Sequence, residues 1–203
     1  MPKITPPKLG TRAMFGGTLY PAREYEGWQI AWESHGAHRL WCHQFRAEPK
    51  HLVCVVMFNP GSLSGDGAGL AKDDTLRIIR SAMPDTAAAL VLNLFTLATP
   101  KPTVLFDQWS KRDCSAFKLA PLLANRIDAV VFAYGDGGQD RNECRETVRT
   151  RIVEIRAAFR STPVAELPEV LTSKIGNPKH PKHWKIKELI PPVNAAIARL
   201  LAK

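Results

Sequence analysis

Three stretches of the chain are apolar at nearly every position: "LVCVVMF" at 52–58, "AALVLNLF" at 88–95 and "IDAVVFAYG" at 127–135. Runs of this length without polar alternation suit strands buried on both faces, as in a parallel sheet. "PEVLTS" at 168–173 is a weaker fourth. Upstream, "WQIAWES" and "RLWCHQF" alternate and carry aromatics, which predicts two antiparallel strands near 28–33 and 39–46. A helical period runs through "KDDTLRIIRSAM" (72–83), with Asp73 or Asp74 as N-cap, and through "KRDCSAFKLAPLLANR" (111–126), broken at Pro121. It recurs in "NECRETVRTRIVEIRAAFR" (142–160) and again at 192–202. The order βαβαβαβ predicts a three-layer α/β/α sandwich around a central, mainly parallel sheet. No Ser/Gly-rich or charge-dense linker divides the 203 residues, so the expectation is one domain over 1–203 with a loose arm at 1–12.

In such folds ligands gather beyond the carboxyl ends of the strands. Four short polar motifs stand where that rule places a site: Asn59-Pro60-Gly61, Asn93, Tyr134-Gly135 and "GNPKHPKHW" at 176–184. Asn59 follows Phe58 out of the core, Pro60 denies the strand a further ladder bond, and Gly61 lets a backbone or ligand approach closely. N-P-G is also ordinary turn chemistry. Asn93 lies inside an apolar strand, where an unpaired amide costs about 1–3 kcal/mol, so it should have a partner: a neighbouring backbone, or the donor–acceptor edge of a base. His180 sits between Pro178 and Pro181 and beside Lys179, Lys182 and His183, on a rigid basic loop whose cations favour the neutral ring. His35, His38, Cys42 and His43 could in principle bind a metal, but strand alternation points two of them to opposite faces, and the expectation is a structural cluster.

Composition adds a partner class and removes several others. The formal charge is +9, with the surplus at both ends and within Arg141–Arg160, which makes polyanions natural partners. Cys42, Cys54, Cys114 and Cys144 form no C-x-x-C, which argues against a disulfide framework, a zinc ribbon or an iron–sulfur cluster. Neither G-x-x-x-x-G-K-[ST] nor G-x-G-x-x-G occurs, so no nucleotide cofactor is expected. No membrane-length apolar run and no signal-peptide order are present, and the expected location is the cytoplasm, without an obligatory protein partner.

Taken in order, these motifs resemble the uracil-DNA glycosylase superfamily. "FNPG" looks like the G-I-N-P-G motif of its mismatch-specific branch, "LVLNLF" like the strand carrying a base-reading Asn, "VVFAYG" like the next strand, and "KHPKHW" like the late His-Pro motif. The chain is closer still to a bacterial and phage family catalogued as domain of unknown function sixteen-forty-three, with its N-P-S, D-x-T, N-L-F and G-x-P-x-H-P. Here "FNPG", "DDT" (73–75), "NLF" (93–95) and "GNPKHP" (176–181) match, with Gly61 in place of Ser. The resemblance implies hydrolysis of an N-glycosidic bond of a base flipped from DNA. Asn59 would position the water and His180 would steady charge on the leaving pyrimidine. Phe58, Gly61, Asn93 and Tyr134 would hold the base, while Ser62, Lys179, Lys182, His183, Trp184 and Lys185 would meet the DNA. Because Gly61-Ser62-Leu63-Ser64-Gly65 offers no aromatic to block C5, a C5-modified pyrimidine, such as a phage-modified base, is the expected substrate, and plain uracil the next. A nucleotide- or DNA-binding relative without this chemistry would share the fold and the charge.

Overall fold

The computed structural model describes residues 13–46, 48–61, 67–99, 105–106, 123, 126–137, 142–184 and 188–203. The proposed N-terminal arm and most of the expected helix at 111–126 lie outside them, as do Ser62 and Lys185. Six strands form one sheet: β1 (Thr18–Tyr25), β2 (Trp28–His35), β3 (His38–Phe45), β4 (His51–Met57), β5 (Ala87–Asn93) and β6 (Ala129–Phe132). Their spatial order is β1-β2-β3-β5-β4-β6.

The sheet is mixed, which corrects the expectation of a mainly parallel one. β1–β2, β2–β3 and β3–β5 are antiparallel, whereas β5–β4 and β4–β6 are parallel. The two aromatic hairpin strands join the same sheet through Cys42↔Val91 and its neighbours, so the fold opens as an antiparallel meander and becomes parallel only in its second half. β1 gives little sequence signal because it is a solvated edge: most of its residues are exposed, and its register slips between Tyr20 and Arg23, around Pro21. Proline is tolerated there because an edge position or bulge needs no ladder donor.

The expected fourth strand at 168–173 is instead a 3₁₀ turn at Glu169–Leu171, closed by Leu171 N–H donating to the Pro168 carbonyl. The sheet edge beside β6 is met earlier, by a parallel bridge between Val130 and Val164. Pro163 and Pro168 bracket that contact and keep it from lengthening.

Helices α1 (Gly67–Lys72), α2 (Asp74–Ala82), α3 (Asn142–Ala158) and α4 (Ile190–Leu201) complete the described elements. The Asp73 carboxylate caps α2 by accepting from Leu76 N–H at 3.0 Å. Strand alternation divides the core in two. Val53, Val55, Met57, Val91 and Val131 pack with Leu70, Leu76, Ile79, Val193 and Ile197 of α1, α2 and α4. Val56, Leu90, Leu92, Val130 and Phe132 pack with Val148, Ile155 and Phe159, which α3 and the turn after it supply. Both faces are covered by helix, so the central strands read as unbroken apolar runs.

Glu33, fully buried in β2, ties the entry segment to the sheet. Its carboxylate accepts from the backbone N–H of Met14, Phe15 and Gly17 and from Trp41 Nε1, all at 2.8–3.0 Å. Glu33→Gln turns an amide N–H₂ against those donors and removes the charge; we expect a loss of about 2–4 kcal/mol in urea denaturation. An unchanged midpoint would show that the 14–17 segment is held by other means.

Candidate functional site

β5, β4 and β6 run parallel, so their carboxyl ends share one edge of the sheet, and a cleft of about 1330 Å³ opens there. Its lining includes Phe58, Asn59 and Gly61 after β4, Tyr134 to Gly137 after β6, and Thr172 to Lys174 with Lys179, His180, Lys182 and His183 from the late loop. Arg39 of β3, Asp73, Thr75 and Thr99 also line it, as do Met57, Val170, Glu188 and Leu189. Arg39, Asp73, Thr75 and Thr99 are cleft residues that motif-by-motif reading leaves out; the signal was present for two of them, since Asp73 and Thr75 are the D-x-T.

Asn59 is placed by backbone bonds that carry the β4–β5 pairing past the strand ends. Leu94 N–H donates to Met57 O, Phe95 N–H to Phe58 O, and Thr99 N–H to Pro60 O, at 2.8–3.0 Å. The Asn59 side chain then locks the turn, with Nδ2 donating to the carbonyls of Pro60 (2.9 Å) and Thr99 (2.8 Å). Its N–H₂ group is therefore committed to structure, and Oδ1 is the atom suited to accept from a water or ligand. Gly61 is exposed, and a Cβ there would meet nothing within 4 Å, so the space beside it is open.

His180 caps the 3₁₀ turn Pro181–His183, its Nδ1 accepting from Lys182 N–H at 3.3 Å. That bond puts the proton of the neutral ring on Nε2, which makes Nε2–H the donor. Burial, then Lys182 and His183, push its pKa down to about 4, so the ring is neutral at physiological pH. His183 is also lowered, by partial burial and by Lys182 and Lys179. The loop is held against β6 by Gly135 N–H donating to Pro178 O at 2.8 Å. Gly135 has φ +68°, and a side chain there would press on His180 Cβ at 3.3 Å, so both backbone and space call for glycine. Across the turn, the Asp136 carboxylate accepts from Ser173 Oγ and Asn177 Nδ2.

The other expected site residues divide. Lys179, Lys182 and His183 line the cleft, although Lys179 Nζ also donates to Val170 O at 2.8 Å. Tyr134 lines it too, its hydroxyl accepting from Arg156 Nε and Nη2 at 3.0 and 2.9 Å. Phe58 lines the cleft but is 4% exposed, with Phe95 edge-on at 5.3 Å and the Gly137 backbone so close that a Cβ there would overlap the ring. Stacking a base on Phe58 would require that backbone to move. Trp184 is a correction: it is fully buried, donates from Nε1 to the Lys179 carbonyl and belongs to the core against β4, so it neither holds phosphate nor enters a duplex. Asn93 is buried at 1% exposure and pairs in register with Met57, one strand in from the cleft. Neither amide atom finds a partner among the described residues.

Residues 38–182 match the family model described as "Protein of unknown function (DUF1643)". The chain belongs to this family. The DUF1643 match includes all four motif positions, and among the residues it brings to one cleft are Asn59, Asp73, Thr75 and His180. No curated protein and no solved structure matches the chain.

Among the described residues no group of three or more His, Cys, Asp or Glu is placed to hold a metal ion. His38 Nδ1 lies 2.9 Å from Thr96 Oγ1, and Cys42 packs in the core on the α2 side of the sheet. Burial pushes the Cys42 thiol up to about 11 and raises Cys54 as well, which keeps both protonated and poor nucleophiles. No described helix is long and apolar enough to cross a membrane.

The depressed pKa of His180 makes a signed prediction. Between the ordinary value of 6.5 and the folded value near 4, the unfolded chain binds more protons, so stability falls as pH drops through that window. His43, buried and also lowered to about 4, contributes in the same range, so the informative quantity is the difference between wild type and His180→Ala. Chemical denaturation from pH 7 to pH 4 should show a shallower loss in the variant. Parallel curves would mean that His180 is not held neutral.

Proposed function

We propose that this protein is a DNA glycosylase that hydrolyses the N-glycosidic bond of a flipped, C5-modified pyrimidine, on a variant of the uracil-DNA glycosylase sandwich. The observation that carries the reading is the placement of two chemically matched groups on one cleft: Asn59, with Oδ1 as its available atom, and a neutral His180 whose donor is Nε2–H.

In this mechanism the glycosidic bond lengthens before water is fully bonded, so the sugar gains positive character and the departing pyrimidine gains negative charge. Asn59 Oδ1 accepts from the attacking water and aims its lone pair at the anomeric carbon. His180 Nε2–H donates to the oxygen on which the leaving charge gathers; a neutral donor is suited to this because it strengthens with the charge and carries none into the ground state. Asn93, otherwise unsatisfied, offers a donor and an acceptor to the base edge. Met57, its register partner, lines the cleft, and an unbranched thioether can yield to a ligand more readily than a branched side chain. Lys174, Lys179 and Lys182 supply positive charge at the mouth, where phosphates would pass. The open space beside Gly61 accommodates a C5 substituent.

The test is single-turnover base release from duplex oligonucleotides carrying uracil or C5-extended pyrimidines, read as alkali-labile abasic sites. We expect His180→Ala to lower the rate by about 10²–10³ while DNA affinity changes much less. Gly61→Tyr should abolish release of C5-extended bases and spare uracil. Asn59→Ala should lose release and also about 1–2 kcal/mol of stability, because its amide holds the 97–99 segment. DNA binding without an abasic product from any substrate would favour a non-catalytic DNA-binding relative; release from mononucleotides but not from DNA would favour an enzyme of free nucleotides.

A further inference from the structure

The basic stretch of α3 plays no part in the chemistry above, yet its arginines are not scattered. At 3.6 residues per turn, residues 145, 149 and 156 fall within about 40° of one another, and residue 160 continues the row just past the helix end. Arg149, Arg156 and Arg160 are exposed and Arg145 is half-buried. The described carboxylates of α3 lie off this row: Glu146 is about 80° from its centre line, and Glu154 is on the far side, 3.9 Å from Arg151. Val153, 67% exposed, flanks the row, so the helix surface is open there among the described residues.

The row is tied to the cleft at one point. Arg156 donates twice to the Tyr134 hydroxyl, with its guanidinium 4.6 Å from the Phe132 ring centroid and 5.8 Å from that of Tyr134. Tyr134 lines the cleft, so Arg156 of the row contacts a residue of the cleft wall directly. From Arg145 to Arg156 the helix rises about 16 Å, a length over which one strand of a DNA duplex presents about five phosphates. Planar guanidinium groups suit such contacts, because each offers paired donors to a phosphate.

We propose that Arg145, Arg149 and Arg160, in line with Arg156, form a phosphate track that holds the duplex DNA flanking the base in the cleft. This rests on the proposed DNA substrate but not on the bond-breaking chemistry. The track supplies affinity and register without reading sequence, and Arg156 joins it to the pocket wall.

The experiment is equilibrium binding of the full chain to a 20-base-pair duplex over a range of KCl, with Arg149→Ala/Arg160→Ala, neither of which contacts Tyr134. Each lost phosphate contact removes about 0.9 from the salt slope, so the double variant should flatten it by about 1.8 and weaken binding at low salt. Its melting temperature should equal the wild type's. The charge reversal Arg149→Glu/Arg160→Glu should weaken binding further. An unaltered salt slope in both variants overturns the track, whatever the catalytic result; so does equal affinity and equal slope change on single-stranded RNA of the same length, which would make the partner RNA. A flattened slope with no base release from any substrate would uphold the track and reject the glycosylase chemistry.

Discussion

The cleft depends on one constraint above the others: β4 is paired in parallel on both sides. Parallel pairing with β5 and β6 makes three strands end at the same edge, and hydrogen bonding continues beyond them through Leu94, Phe95 and Thr99 onto the 57–60 turn. Asn59 is consequently delivered by a rigid element rather than by a free loop, and its own amide closes the last bonds. The His180 loop is set against the same edge by one backbone bond at Gly135, a position that only a residue without Cβ fills comfortably. Groups from sequence positions more than a hundred residues apart are thus fixed by main-chain hydrogen bonds, which tolerate little displacement.

The electrostatics follow from that placement. His180 is half-buried and set beside cations, and both effects favour the neutral ring. Its Nδ1 is occupied as a cap acceptor, so local folding chooses the tautomer. The same 3₁₀ turn swings Trp184 inward, where its ring supports the loop from below and its indole N–H satisfies the Lys179 carbonyl. Cleft-lining and buried residues therefore interleave within five positions, and the cations around them stay at the surface.

Asn93 and Glu33 show two ways a sheet can carry a buried polar group. Glu33 is saturated, each carboxylate oxygen holding two N–H donors, and the entry segment is fastened by it. Asn93 is unsatisfied among the described residues, next to a flexible methionine and close to a cleft. Native interiors rarely leave both atoms of an amide idle, and the contrast with Glu33 is the reason Asn93 enters the proposed mechanism.

Much of this was legible in the chain itself. Unbroken apolar runs marked β4, β5 and β6 because burial on both faces removes the polar alternation that other strands show. The Asp73 cap, α2, α3 and α4 followed from local periodicity and capping, which depend on residues a few positions apart. The polar motifs that carry Asn59 and His180 were visible because short polar segments interrupting apolar runs mark where the chain leaves the core. Strand order was not legible: joining the hairpin strands to β5 makes the sheet mixed, and that rests on pairing between residues about fifty positions apart, which periodicity does not encode. Nor was the burial of Trp184, whose neighbours Lys182 and His183 suggest a surface while a single tight turn points its ring the other way. Arg39 in the cleft wall and Arg156 behind Tyr134 were likewise decided only in three dimensions. A side chain's period tells which face of its own element it occupies, but which partner waits on that face is set by the packing of elements distant in sequence.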